Sequence, residues 1–183
     1  MNAYFAALAL PDQIQAELAT LVGDLAGVYW LESPNYHITL AYFGPLNDET
    51  AGDLGRALSQ IKQKPLTLRL GTVRLNPESG EPRAIVVQVK QDDRLDALRQ
   101  KVNRSAIEIG LERKRERYAP HVTLGRLSPN GRALDHPDYL AQFLAERATF
   151  HTEPFDLFSF GLYLSRKTSS GHQYEQTAEY DLI

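Results

Sequence analysis

Residues Tyr36 to Gly44 read YHITLAYFG, and residues Pro120 to Arg126 read PHVTLGR. A chain of 183 residues with five histidines thus sets two of them in one frame, His-x-Thr-Leu, 84 positions apart (121 minus 37). Successive side chains of a strand point to opposite faces, so each copy sends an imidazole and a hydroxyl one way and two aliphatic groups the other. His37 and Thr39 are expected on one face with Ile38 and Leu40 on the other, and His121 and Thr123 stand likewise against Val122 and Leu124. At a rise of roughly 3.3 Å per residue, the imidazole and hydroxyl of each pair lie about 7 Å apart along the strand. If the two strands face each other across a cleft, four polar groups converge on one ligand. Strict alternation also puts Phe43 on the face of His37 and Thr39, and Tyr42 with the core set, an arrangement that a bulge at Gly44 would alter. The glycines that follow the motifs, Gly44 and Gly125, allow close approach of backbone or substrate.

Outward from the motifs, strand and helix signals alternate. Tyr4 to Leu10 is a short apolar strand, and Pro11-Asp12 opens a helix with Ile14, Leu18, Leu21, Val22 and Leu25 on one side. Val28 to Leu31 and His37 to Phe43 are strands parted by Ser33-Pro34-Asn35; Asn47-Asp48 caps a helix carrying Leu54, Leu58 and Ile61. Leu66 to Val73 has period two, Ala84 to Val89 is a strand, and Asp92-Asp93 starts a helix with Leu95, Leu98, Val102 and Ile109 on one face. The motif strand His121 to Leu127 follows, then a helix from Pro137 to Ala148 and strands near Phe155 to Ser165 and Tyr174 to Leu182. Strand, helix and motif strand occur once before residue 44 and again between residues 84 and 127, a duplication. The fold expected is α+β, with two pseudo-symmetric lobes, largely antiparallel sheets and a central cleft. No low-complexity linker divides the chain, so residues 1–183 are read as a single two-lobed domain.

Composition narrows the function classes. An apolar content of 43% and a charged content of 23% are those of an ordinary globular protein, and no run approaches the roughly 18 apolar residues of a membrane span. Absence of cysteine removes disulfides, thiolate metal sites and a thiol nucleophile, and fits a cytoplasmic setting. MNAYFAALAL lacks the leading Lys or Arg of a secretory signal and is read as the first strand. Charge is uneven: residues 1–55 hold seven acids and no Lys or Arg, leaving all 20 cations against 16 acids (23 minus 7) in the remainder. The densest positive run, Arg113, Lys114, Arg115 and Arg117, precedes His121 and reads equally as an attractor for a polyanion and as a solvated loop or edge. His136, His151 and His172 lack the frame and are read as structural.

These motifs and their flanks resemble the two-histidine phosphoesterase superfamily, and within it the RNA 2′,3′-cyclic phosphodiesterases, also called 2′-5′ RNA ligases. YFAALALP is similar to the family's opening strand, VYWLESPNYHITLAYFGPL to its first motif segment and ERYAPHVTLGRL to its second. GEPRAIVVQV between them also fits, and LYLSRKTSSGHQY resembles the closing pattern, through Leu162, Tyr163, Ser165, Gly171 and Tyr174. The resemblance implies a two-lobed fold and metal-independent opening of RNA 2′,3′-cyclic phosphates to 2′-phosphates, with reverse 2′-5′ ligation as a companion activity. It implies His37, Thr39, His121 and Thr123 as the catalytic set. One departure stands out: Ala3 occupies a place where family members often carry arginine, so phosphate contacts must come from later cations. Arg126 is favoured, with Arg83, Arg166 and the 113–117 run as further candidates, and Phe43 and Tyr118 as substrate-binding aromatics.

Hydrolysis of a cyclic phosphodiester requires a base for water, an acid for the departing ribose oxygen and donors to the non-bridging oxygens. Two imidazoles, whose ordinary pKa is near 6.5, meet the first two needs. His121 is the favoured base and His37 the favoured acid, with the reverse open; Thr39 and Thr123 supply the donors. No metal and no cofactor is then needed, and two histidines without HExxH spacing or cysteines offer few ligands. The partner expected is an RNA end or nucleotide carrying a 2′,3′-cyclic phosphate, met by a monomer without membrane attachment. Two alternatives share the sequence pattern: a phosphodiesterase for 2′-5′ linkages or small cyclic nucleotides, and a nucleotide- or RNA-binding module without turnover.

Overall fold

In the computed structural model, residues 3–77, 82–112, 118–128, 137–168 and 171–183 are described. Along the chain they form β1 (Ala3–Ala9), α1 (Asp12–Ala19), β2 (Val28–Trp30), β3 (His37–Gly44), α2 (Asp48–Leu58), β4 (Leu66–Leu68) and β5 (Leu70–Asn76). The second half contributes β6 (Ala84–Val89), α3 (Asp93–Glu108), β7 (His121–Leu127), α4 (Pro137–Glu146), β8 (Phe155–Leu157), β9 (Ser159–Thr168) and β10 (Gly171–Asp181). Caps act where the sequence placed them: the Asn47 side chain accepts from the Thr50 amide (2.8 Å), and Asp92 from Arg94 and Leu95 (2.9 and 3.0 Å). The first helix stops at Ala19, short of Leu25, closing in a turn that joins the Leu21 amide to the Leu18 carbonyl. The period-two run Leu66 to Val73 is two strands, because the Leu70 amide turns to the Thr152 hydroxyl (3.0 Å) and β4 leaves to pair with β8.

Eight strands make the main sheet, in the order β10-β9-β1-β3-β7-β6-β5 with β2 also on β7, and every described pairing is antiparallel. The motif strands β3 and β7 are neighbours in this sheet, joined at a single registered pair, Ile38 with Val122. Beyond that pair the strands part, and β2 takes the place beside β7 through Val28–Leu127, Tyr29–Arg126 and Trp30–Gly125. The lobes are therefore two half-sheets meeting at one cross-strand contact.

The halves repeat in detail. Ala6 pairs with Ala41 and Ala7 with Thr39, so Leu40 has no partner on β1; Ile85 pairs with Gly125 and Val86 with Thr123, so Leu124 has none on β6. Each motif leucine is a β-bulge, an extra residue that turns over the alternation after it. Ile38, Leu40, Val122 and Leu124 are buried in one cluster with Leu8, Ile85, Val87 and the inward residues of all four helices. Burying each such side chain stabilises the fold by roughly 1.5–3 kcal/mol, and that holds the opposite face of both motif strands to the outside. Two glycines have steric reasons. Gly44 ends β3 at φ 79°, and a Cβ on Gly125 would lie 2.7 Å from Val28 Cγ1 and 2.8 Å from Trp30, so it is β2, not substrate, that approaches there.

Candidate functional site

Antiparallel pairing at Ile38–Val122 sets His37 across from Thr123 and Thr39 across from His121, all four on the face away from the core. The two imidazoles are then diagonal neighbours, their Cβ atoms roughly 7–8 Å apart by ordinary sheet spacing. Both rings are anchored alike. His37 Nδ1 donates to the Asn35 carbonyl and His121 Nδ1 to the Ala119 carbonyl, each at 2.7 Å. A carbonyl oxygen only accepts, so Nδ1 carries the hydrogen in each neutral ring and Nε2 keeps its lone pair for proton exchange. His151 makes a similar bond to the Thr149 carbonyl (3.0 Å) on an exposed loop, which identifies the shared face and not the anchor as the mark of the site.

The surroundings of the two rings differ. His37 lies against Phe5 (centroids 5.0 Å) and edge-on to Tyr174 (5.2 Å), and Phe5 in turn stacks on Tyr163 (5.3 Å). Burial, with the charges of Arg126 and His121 adding to it, pushes the His37 pKa down to about 4. Burial also lowers His121, and the guanidiniums of Arg74 and Arg126 work in the same direction. Arg126 owes its place to the bulge at Leu124, without which it would point to the core. The equivalent bulge at Leu40 overturns the expectation for Phe43. Phe43 packs against the core, while Tyr42, registered with Phe5, is 54% exposed on the site face.

Tyr118 forms a wall. Its hydroxyl donates to the Thr39 carbonyl (3.0 Å), Arg99 covers its ring at 4.1 Å, and burial raises its pKa. A cavity of about 340 Å³ opens beside Thr39 and His121, lined by Tyr42, Phe43, Asn103, Ile107 and Tyr118 among others. Arg83 is exposed just before β6, tied by its backbone to Asn76 and Leu127, one step beyond the row of Arg126. Arg166 is engaged with Glu175 at 2.8 Å on the β9–β10 ribbon. The 113–117 run and His136 lie outside the described residues, as does the side chain of His172. Arg74 was missed because the strand was expected to end at Val73; carried on through β5, the strand pairs Arg74 with Val86, which pairs with Thr123. Among the described residues no three His, Asp or Glu side chains gather as a metal would require, and no helix is long and apolar enough to cross a membrane.

The sheet gathers two His-x-Thr pairs around one cross-strand contact. The chain belongs to the 2′-5′ RNA ligase superfamily, whose family profile matches residues 10–161. It is 26% identical over 186 residues to an RNA 2′,3′-cyclic phosphodiesterase of Geobacillus stearothermophilus, a match that covers 98% of this chain and 57% of that protein's length. An RNA 2′,3′-cyclic phosphodiesterase of Methanocaldococcus jannaschii is 22% identical over 178 residues, 96% of this chain and 98% of that one. The fold is also that of Escherichia coli LigT, crystallised with 3′-AMP, at a TM-score of 0.75 and 22% identity over 100% of this chain and 98% of LigT.

Proposed function

We propose that this chain, acting through residues 1–183 as one two-lobed domain, hydrolyses RNA 2′,3′-cyclic phosphate ends to 2′-phosphates. The observation that carries the reading is the diagonal of two Nδ1-anchored imidazoles with a threonine across from each, on one open face of the sheet. Water attacks phosphorus, one imidazole takes its proton, the bond to the 3′-oxygen breaks, and the other imidazole protonates that oxygen. Thr39 and Thr123 donate hydrogen bonds to the non-bridging oxygens, where each such donor is worth roughly 3–4 kcal/mol in the transition state. Arg126 and Arg74 offset the phosphate charge, and its negative charge in turn raises the pKa of both rings, so that one holds the proton the leaving oxygen needs. With a 5′-hydroxyl in place of water, the same groups serve 2′-5′ joining. The relatives named as RNA 2′,3′-cyclic phosphodiesterases and the 3′-AMP held by LigT support RNA ends as substrate.

The test is product analysis on a short RNA ending in a 2′,3′-cyclic phosphate. A 2′-phosphate end should accumulate, and excess chelator should leave the rate unchanged. A preference for cleaving a 2′-5′ dinucleotide, or tight binding without product, would overturn the proposal.

A further inference from the structure

The ladder between the two motif strands consists of Ile38–Val122, and the parted strands are held differently on its two sides. On the Thr123 side the backbone holds them: β2 pairs with β7, and the Leu31 amide donates to the Leu124 carbonyl (2.8 Å). On the Thr39 side a side chain spans the gap. The Tyr118 hydroxyl reaches from the segment before β7 to the Thr39 carbonyl of β3 (3.0 Å), joining residues 79 positions apart. Tyr118 stands three places before His121 as Pro34 stands three places before His37, so the first half of the chain has no hydroxyl at the matching position. The guanidinium of Arg99 on α3 covers the Tyr118 ring at 4.1 Å from its centroid, which fixes the phenol against the second half of the chain. Burial raises its pKa, so the hydroxyl keeps its proton and remains a donor. Next to it, the Ala119 carbonyl accepts from His121 Nδ1 (2.7 Å). The dipeptide Tyr118-Ala119 therefore orients the second imidazole through its backbone and holds the strand of the first threonine through its side chain. Those two groups, His121 and Thr39, stand across from each other in the site.

We propose that Tyr118 is a positioning residue for the phosphodiesterase reaction: its hydroxyl sets the separation of the half-sheets beside the site and thereby aims the Thr39 hydroxyl at the non-bridging oxygen. The inference rests on the reading of the catalytic centre given above, in which Thr39 donates to that oxygen. It gives the ring a task different from the substrate contact expected of it in the sequence, because the working group is the hydroxyl and not the aromatic face. The two threonines then differ in their support, Thr123 being held by strand pairing and Thr39 by one phenol.

Tyr118→Phe keeps the ring beside Arg99 and removes only the bond. On a 2′,3′-cyclic mononucleotide it should lower kcat by roughly ten- to a hundredfold, the scale of a displacement of about 1 Å in a catalytic group, with KM within about twofold of wild type. A ring that served by stacking on a base would behave in the opposite way, with Tyr118→Phe silent. Double variants separate aiming from a general loosening of the sheet, which would lower activity in any background. In a Thr39→Val background no hydroxyl is left to aim, so adding Tyr118→Phe should cost less than about twofold in kcat, whereas in a Thr123→Val background it should cost its full factor. Equal loss in both backgrounds, or a Tyr118→Phe enzyme with the kcat of wild type, overturns the positioning role while leaving the cyclic phosphodiesterase reading intact. If wild type turned over no cyclic phosphate, that reading would fail, and the hold on β3 would be judged by amide hydrogen exchange. Exchange must then quicken around Thr39 in Tyr118→Phe and stay as in wild type around Leu124.

Discussion

Around His37 the neighbours are chiefly rings, with the charge of Arg126 acting on it; His121 feels two guanidiniums, Arg74 and Arg126. The contrast can be followed position by position, because the register of β1 with β3 and β9 repeats in that of β6 with β7 and β5. Phe5 corresponds to Ala84, Tyr42 to Arg126, Tyr163 to Asn76 and Gly161 to Arg74. Gly161 explains part of the difference: a Cβ there would come within 2.7 Å of the Tyr163 ring, so the absence of a side chain is what lets that ring lie beside Phe5. Where the other half has room, Arg74 stands. One backbone plan thus supplies two equivalent imidazole positions, one walled mainly by rings and one with a second guanidinium, Arg74, acting on it.

The largest expected effect breaks what the halves share. Replacing either His37 or His121 by Ala should lower kcat on an RNA 2′,3′-cyclic phosphate by roughly 10²–10⁴ fold, the range of general acid–base catalysis. The double variant should lose little more than either single one, since groups that act together in one transition state are not additive. A 3′-thiolate leaving group needs no protonation, so a substrate with bridging sulfur at that position should restore turnover to one variant only. Rescue of both, or of neither, would break the division into one acid and one base.

A smaller effect belongs to the cationic half alone. Arg74→Ala should raise KM for a cyclic-phosphate RNA several-fold and reduce the slope of log affinity against log salt by about one, the signature of one lost phosphate contact. Gly161 offers the control from the aromatic half, because it stands at the matching position and bears no charge. Competition titrations at several salt concentrations would check this, and an unchanged slope would remove Arg74 from the substrate's path.

Much of this was legible in the residues because the signals were local. The His-x-Thr-Leu frame fixed which side chains share a face, aliphatic burial fixed which face is inward, and Asn47 and Asp92 marked helix starts. What stayed hidden depended on pairing. A bulge is a mismatch in count between two strands, so neither strand alone reveals that Leu40 and Leu124 are the extra residues. Phe43 packs against the core for this reason, although it also lines the cavity beside Thr39 and His121, and the route of Arg126 to the site was not apparent. Phe5, Tyr163 and Tyr174 had a strand assignment but no role, since only the order β10-β9-β1-β3 brings residues from both ends of the chain to His37. Arg74 needed the same information on the other side. Adjacency of β3 and β7 in one sheet likewise could not be read from two similar segments, which fit strands facing across a gap equally well.

The smallest expected effect concerns the aromatic wall and is read in pH, not in rate. His37 has a pKa near 4 in the folded chain, against about 6.5 for an ordinary histidine, chiefly through burial among Phe5, Tyr174 and their neighbours. A depressed folded-state value means that the unfolded chain takes up the proton first as pH falls. The stability this neutral ring contributes is complete above about pH 6.5 and is lost as pH drops toward about 4. Tyr174→Ala opens one wall, so the His37 resonance in an NMR titration should move its midpoint upward, and the melting temperature should fall less between neutral and acid pH than in wild type. Tyr174→Phe keeps the ring and should leave both curves near wild type. If Tyr174→Ala shifts neither midpoint nor acid sensitivity, Tyr174 does not contribute to the low pKa of His37, and the contrast between the halves reduces to Arg74, which acts on His121 alone.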